Sequence, residues 1–199
     1  MARNAQEYCV IYPNNTTKTT MSAFDRTDLA ILGLLQHEGR LTNAELAERV
    51  NLSASACLRR VQRLEADGVI AGYAARVEPK SVGLGLQAFV RIQLNSHGAA
   101  AVQAFVERVH GWDDVVACHA LTGDMDYLLH VVVEDLEHFS RFLLDHLLND
   151  SGVADVNSSF VLRTVKQERA LPLKHLAAPR HGVRNPGLAR SHERTTGLA

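Results

Sequence analysis

Apolar positions recur at helical spacing up to about residue 64 and alternate at period two from residue 86, so the chain reads as two parts of different build. Phe24, Asp28, Ile31, Leu32 and Leu35 repeat as one helical stripe, and Gly39 follows where a left-handed C-cap residue is wanted. The stretch LTNAELAERVNLSASACLRRVQRL, residues 41–64, then predicts two short helices and a tight turn. Thr42 is placed to N-cap the first, with Glu45 three residues on to complete a capping box, and Leu41 and Leu46 occupy the positions of a hydrophobic staple. Asn51-Leu52 makes the turn and Ser53 caps the second helix. On a wheel of about 100° per residue, Cys57, Leu58, Val61 and Leu64 fall on one side, Ser55, Arg59 and Arg63 fall opposite, and Arg60 lies on the flank. Asp67-Gly68 ends that helix, and Val69–Val77, rich in strand formers, predicts a short wing or connecting strand.

An apolar back and a face of small hydroxyls and arginines suit a recognition helix: the back packs on a scaffold while the front approaches base edges and phosphates. The helix-turn-helix is placed over Asn43–Gln62. Asn43, Ser53, Ser55 and Arg60 are its candidate base or edge contacts, and Arg59 and Arg63 its candidate phosphate contacts. The spacing also fits an ordinary helical hairpin with a solvated basic face. The third helix upstream and the strand downstream favour the DNA-binding reading.

From residue 86 the pattern changes. Leu86, Ala88, Val90, Ile92 and Leu94 alternate with Gln87, Phe89, Arg91 and Gln93, which predicts a half-buried strand. A helix follows with Val102, Phe105, Val106 and Val109 inward, closed by Gly111. Strands are predicted over Val115–Leu121, Tyr127–Val133 and Val153–Arg163, and Asp135 caps a helix whose stripe is Leu136, Phe139, Leu143 and Leu147. The order strand, helix, strand, strand, helix, strand is that of a ferredoxin-like sandwich, which leaves one sheet face bare of its own helices. With Phe89 on that face, and Cys118 or Ala120 beside it, a second copy is the expected cover. The connecting loop Thr122-Gly123-Asp124-Met125-Asp126 has two readings: a hairpin turn, which the residues alone favour, or a pocket holding the ammonium and carboxylate of a free amino acid.

The run FDRTDLAILGLLQHEGRLTNAELAERVNLSASACLRRVQRLEADGVIAGYAA, continued by ACHALTGDMDYLLHVVV and VKQERALPL, resembles the Lrp/AsnC family of prokaryotic transcription factors over residues 24–173. The resemblance implies an α+β chain: an asnC-type winged helix-turn-helix domain over 24–85, then a ferredoxin-like βαββαβ effector-binding and oligomerisation domain over 86–173. It implies dimers that assemble into tetramers or octamers, double-stranded DNA with a palindromic operator as partner, and a small amino acid or related metabolite as effector. It favours the pocket reading of the loop, with Thr122, Gly123, Asp124 and Asp126 as contacts and His119 lining the same cleft. Met21 opens the segment MSAFDRTDLA, which is similar to the family's usual beginning, so Met21 is the expected start of translation. Intact mass would decide this.

Composition changes the picture little. An apolar share of 46% in 199 residues supports a core in each domain, and no apolar run approaches the roughly 18 to 20 residues that span a membrane, so a cytoplasmic protein is expected. Cys9, Cys57 and Cys118 are odd in number and widely spaced, which argues against disulfides or structural zinc. Charge is more telling. Residues 24–79 hold seven Lys/Arg and eight Asp/Glu, residues 80–162 four and eleven, and residues 163–199 eight and two. Nucleic acid is therefore expected at the first domain only. The extension 1–23 and the basic tail 174–199 are expected to be disordered; the tail is read first as inert and second as a source of nonspecific attraction to DNA. His138 and His146 share a helical stripe but Phe142 separates them, so no metal is expected, and no catalytic motif or cofactor signature is present. Two other readings stay open: an enzyme similar to haem-pathway decarboxylases of this fold, and a metabolite-binding regulatory subunit, which would fit if Arg59 and Arg63 were both tied up in internal salt bridges.

Overall fold

The computed structural model describes residues 24–167 and 170–177; the extension 1–23 and tail residues 178–199, expected to be disordered, lie outside the described residues. Two compact units result, residues 24–70 with 170–177, and residues 71–167.

The first unit packs three helices, α1 (Arg26–His37), α2 (Asn43–Arg49) and α3 (Ala54–Ala66), around buried Ile31, Leu46, Ala47, Cys57 and Leu64. Both expected caps form: Thr42 and Glu45 make a reciprocal capping box, and the Ser53 hydroxyl accepts from the Ala56 amide at 3.3 Å. A second box opens α1, between Asp25 and Asp28. Asn51, with φ of 54°, makes the turn into α3. Three expectations change. Gly39 is not left-handed; α1 ends one residue earlier, where the Glu38 amide reaches Leu34 O. Val69–Val77 forms no strand, because Val69 and Ile70 spend their apolar side chains on the helical core, their amides donating back to Leu64 O. The tail begins in order: Leu173 packs into the same core, the Leu171 amide donates to Gln36 Oε1, and Lys174–Ala177 forms the helical turn α6.

In the second unit β1 (Leu86–Leu94), α4 (Ala99–His110), β2 (Val115–Ala120), β3 (Tyr127–Val133), α5 (Leu136–Leu143) and β4 (Val153–Phe160) follow the expected order. The sheet runs β2-β3-β1-β4, all antiparallel, with both helices on one face. Ala88, Val90, Ile92 and Leu94 pack with Leu129, Val131, Val133, Phe105, Phe139 and Phe142 beneath those helices.

On the open face Phe89, 40% exposed, stacks on His130 with ring centroids 4.7 Å apart. Its neighbours on β2 are Ala117 and His119, opposite His130 and Leu128, and not Cys118 or Ala120. A bulge between Val115 and Ala117 turns Cys118 and Ala120 toward the helices, opposite buried Leu129 and Tyr127. Burial pushes the Cys118 thiol up to about 11. A second phase change lies in α5. A π turn over Leu144–Leu148 brings Leu147 into the core five residues after Phe142, while Leu136, expected in the stripe, is 60% exposed.

Candidate nucleic-acid and effector sites

The helix-turn-helix is rigid at its corner. The Asn43 side chain donates from Nδ2 to Ala54 O at 2.8 Å, tying the start of α2 to the start of α3, and the Leu52 amide donates to Ala47 O. Asn43 is thus engaged inside the motif. Beyond the corner, α3 presents Ser55, Arg59, Gln62 and Arg63, one exposed row at spacing 4, 3 and 1, with the Ser53 and Ser55 hydroxyls 3.3 Å apart at its head.

The three arginines differ sharply. Arg60 donates from Nη1 to Asp25 Oδ2 at 2.7 Å and to Asp28 Oδ1 at 2.9 Å, and Arg63 Nη2 lies 2.7 Å from Asp28 Oδ2. Asp28 is the one charged side chain buried among the described residues. These partners, Asp25 first, raise the pKa of Arg60, while the Asp28 amide and then Arg60 hold the Asp25 carboxyl below the usual carboxylate range. Arg59 makes no hydrogen bond or ion pair among the described residues. Internal salt bridges at both Arg59 and Arg63 would have suited a regulatory subunit that leaves DNA alone; Arg63 has one and Arg59 does not.

Two positions escaped the sequence reading. Gln62 sits on the exposed row, and its place seven residues after Ser55 would have found it. Asp28 was counted in an apolar stripe, and a carboxylate there is itself the signal that a cation must come to meet it.

The loop between β2 and β3 separates its two carboxylates. Asp126 accepts the Leu94 amide on Oδ2 at 2.7 Å and sits 3.0 Å from His97 Nε2 on Oδ1, while its backbone bonds Ile92 and Leu121, so it closes the end of the sheet. Asp124 and Thr122 are exposed, and Asp124 has no hydrogen-bond or ion-pair partner among the described residues. Gly123 has φ of 114°, a conformation that strains any residue with a Cβ. His119 projects from the open sheet face and makes no hydrogen bond to the loop. A separate cleft of about 240 Å³ is lined by Leu94, Asn95, Ser96, Arg108, Asp150 and Gly152; its two charges pair with each other at 2.7 Å. The histidines of α5 and the π turn are engaged separately, His138 with Asp114 at 3.2 Å and His146 against the Trp112 ring.

Residues 24–71 match the model of winged helix-turn-helix DNA-binding domains, and residues 87–171 match the Lrp/AsnC ligand binding domain. The leucine-responsive regulatory protein of Klebsiella pneumoniae is 39% identical over 150 residues, 75% of this chain and 92% of that protein. The Bkd operon transcriptional regulator of Pseudomonas aeruginosa is 39% identical over 153 residues, 77% of this chain and 100% of that one. Among solved structures, a transcriptional regulator from Neisseria meningitidis in complex with L-Met is similar at 50% identity and a TM-score of 0.74, covering 77% of this chain and 99% of its own.

Proposed function

Since the chain belongs to the Lrp/AsnC family of DNA-binding transcriptional regulators, we propose that it reads DNA with the Ser55, Arg59, Gln62 row of α3 and adjusts its binding to a free amino acid held at Gly123 and Asp124. The observation that carries this reading is the division of labour among the arginines. The fold uses Arg60 and Arg63 to neutralise Asp28 and keeps Arg59 unpaired on the exposed row. Arg59 engages a phosphate or a guanine edge, Ser55 and Gln62 meet bases, and Ser53 and the helix N-terminus lie against the backbone. Asn43 and Arg60 act one step back, fixing how α3 is presented. Arg63 is 43% exposed and screened by Asp28, which makes it a weaker phosphate contact.

At the loop, the backbone N–H groups around Gly123 face an α-carboxylate and the Asp124 carboxylate takes an ammonium, the two ends of any free amino acid. The similar Neisseria regulator bound to L-Met supports this class of ligand. Asp126 belongs to the frame of the pocket through Leu94 and His97. A second copy covers the open sheet face around Phe89, and the resulting twofold sets a palindromic operator with half-sites on one side of the duplex. Such a dimer acts in the cytoplasm, on the chromosome.

The test is binding of the purified protein to the DNA upstream of its own gene, repeated with each amino acid at millimolar level and with the Arg59→Ala variant. A specific complex that one amino acid alters and that Arg59→Ala weakens at least tenfold is expected. Arg59→Ala affinity equal to wild type at moderate salt overturns the face assignment, and no response to any amino acid overturns the effector class.

A further inference from the structure

We propose that Leu58 reads the operator: its side chain packs on the 5-methyl group of a thymine in the major groove, beside the base met by Gln62. The inference rests on DNA binding through α3 and adds to it a requirement on the sequence that is bound.

Helical spacing groups Leu58 with Cys57, Val61 and Leu64, yet those three join the core of the unit and Leu58 does not. Leu58 is 43% exposed, and among residues 24–70 it is the one large apolar side chain left exposed. Leu41, Val50 and Leu52, around the same motif, are all packed against that core. At about 100° per residue, the order round the front of α3 is Leu58, Gln62, Ser55, Arg59 and Arg63, with buried Cys57 and Leu64 on the far side. One edge of the reading face is therefore cationic and the other apolar.

The floor of the major groove offers hydrogen-bonding groups and a single apolar feature, the thymine methyl. A leucine against a phosphate or another base edge would only strip water from polar groups. Leu58 is the fifth of the 13 residues of α3, in the N-terminal part that meets base edges in helix-turn-helix proteins. Gln62 follows one turn later, exposed and without a hydrogen-bond partner among the described residues. It lies about 6 Å farther along the helix axis, less than two base-pair steps of about 3.4 Å. Its amide suits the N6 and N7 edge of adenine, so Leu58 and Gln62 together select A·T pairs next to the position met by Arg59.

The operator is first obtained by selecting a random duplex library on the full chain. Each thymine of the selected half-site is then replaced by deoxyuridine, which removes only the methyl group, and binding is followed by fluorescence anisotropy. Burial of one methyl group corresponds to roughly fourfold in affinity, so one thymine should cost about three- to sixfold and the others less than about twofold. That loss should vanish in Leu58→Ala at unchanged melting temperature, and the thymine should lie within about two base pairs of the position where Gln62→Ala relaxes base choice. Where Leu58→Ala melts lower, Leu58→Gln repeats the comparison, and the uracil scan on the wild-type protein needs no variant. Uracil tolerated at every position, or an equal uracil penalty in wild type and Leu58→Ala, would overturn the methyl contact; Arg59→Ala, still weakening binding, would then keep α3 as reader. A library without enrichment, or Arg59→Ala binding the selected duplex like wild type, would overturn the reading through α3 and the role of Leu58 with it.

Discussion

Replacing Asp28 by Ala should unfold the DNA-binding unit while leaving the second unit intact. Three interactions end on that carboxylate: Arg60 at 2.9 Å, Arg63 at 2.7 Å, and the Asp25 amide at 3.2 Å, which is half of the α1 capping box. Removing one partner of a fully buried charge pair costs about 3 to 5 kcal/mol. Here the two guanidinium groups are 29% and 43% exposed, so water solvates them in part once Asp28 is gone. Discounting for that and adding the lost half of a cap gives about 2 to 4 kcal/mol. For a unit this small the urea m-value lies near 1 kcal/mol/M, so the midpoint should fall by roughly 2 M or more. Urea titration read by circular dichroism at about 222 nm follows all helices, whereas the fluorescence of Trp112, the one tryptophan, packed among Phe105, Phe142 and His146, follows the second unit. The helical signal should acquire an early phase that the tryptophan signal lacks. Asp28→Leu combined with Arg60→Met should recover part of the loss, because a well-packed apolar replacement removes the stranded charge. An Asp28→Ala midpoint within about 0.5 M of wild type would refute the claim that this cluster holds α1 to α3.

The loop carboxylates should separate by phenotype: Asp124→Ala abolishes the amino-acid effect on DNA binding at unchanged melting temperature, whereas Asp126→Ala, which strands the Leu94 amide, lowers stability by about 1 to 3 kcal/mol. A fully responsive Asp124→Ala variant would move the pocket elsewhere. Leu147→Ala should cost about 2 to 5 kcal/mol in denaturant unfolding and Leu144→Ala well under 1, since the first is fully buried and the second 52% exposed; equal costs would refute this difference in burial. Asp25 binds its proton less tightly in the folded state than in the unfolded chain, so its stabilisation is present above about pH 4 and is lost as pH falls through the lowered folded value. The helical melting temperature should drop between about pH 5 and 3, and drop less in Asp25→Asn; identical profiles would show that Asp25 is not a source of the acid sensitivity.

What could be read from the residues alone tracks how far each cause extends along the chain. The caps at Thr42, Glu45 and Ser53 act over three residues, and all appear in the structure as written. The sheet order followed from the sequence of elements, because few topologies let two helices cover one face of four strands. Failures came from single-residue shifts of phase. A period-two pattern shows no sign of the bulge at Val116, yet that residue decides which side of the sheet Cys118 and His119 face. In α5, too, Phe142 is buried beside Phe139 while Leu136, in the first turn, is exposed, a difference that helical spacing alone does not decide.

Chemistry was legible as residue type but not as availability. Arg59 and Arg63 share one face on a wheel, as Asp124 and Asp126 share one loop, and what separates them is demand from the rest of the fold. Asp28 claims two arginines from 32 and 35 residues away, and the Leu94 amide claims Asp126 across the sheet. A carboxylate in an apolar stripe is visible in the sequence, and burial of that stripe requires a cation from a neighbouring helix to neutralise it. Residues free to meet a ligand are those left after such claims are met, and among the described residues they include Arg59 on the recognition helix and Asp124 beside Gly123.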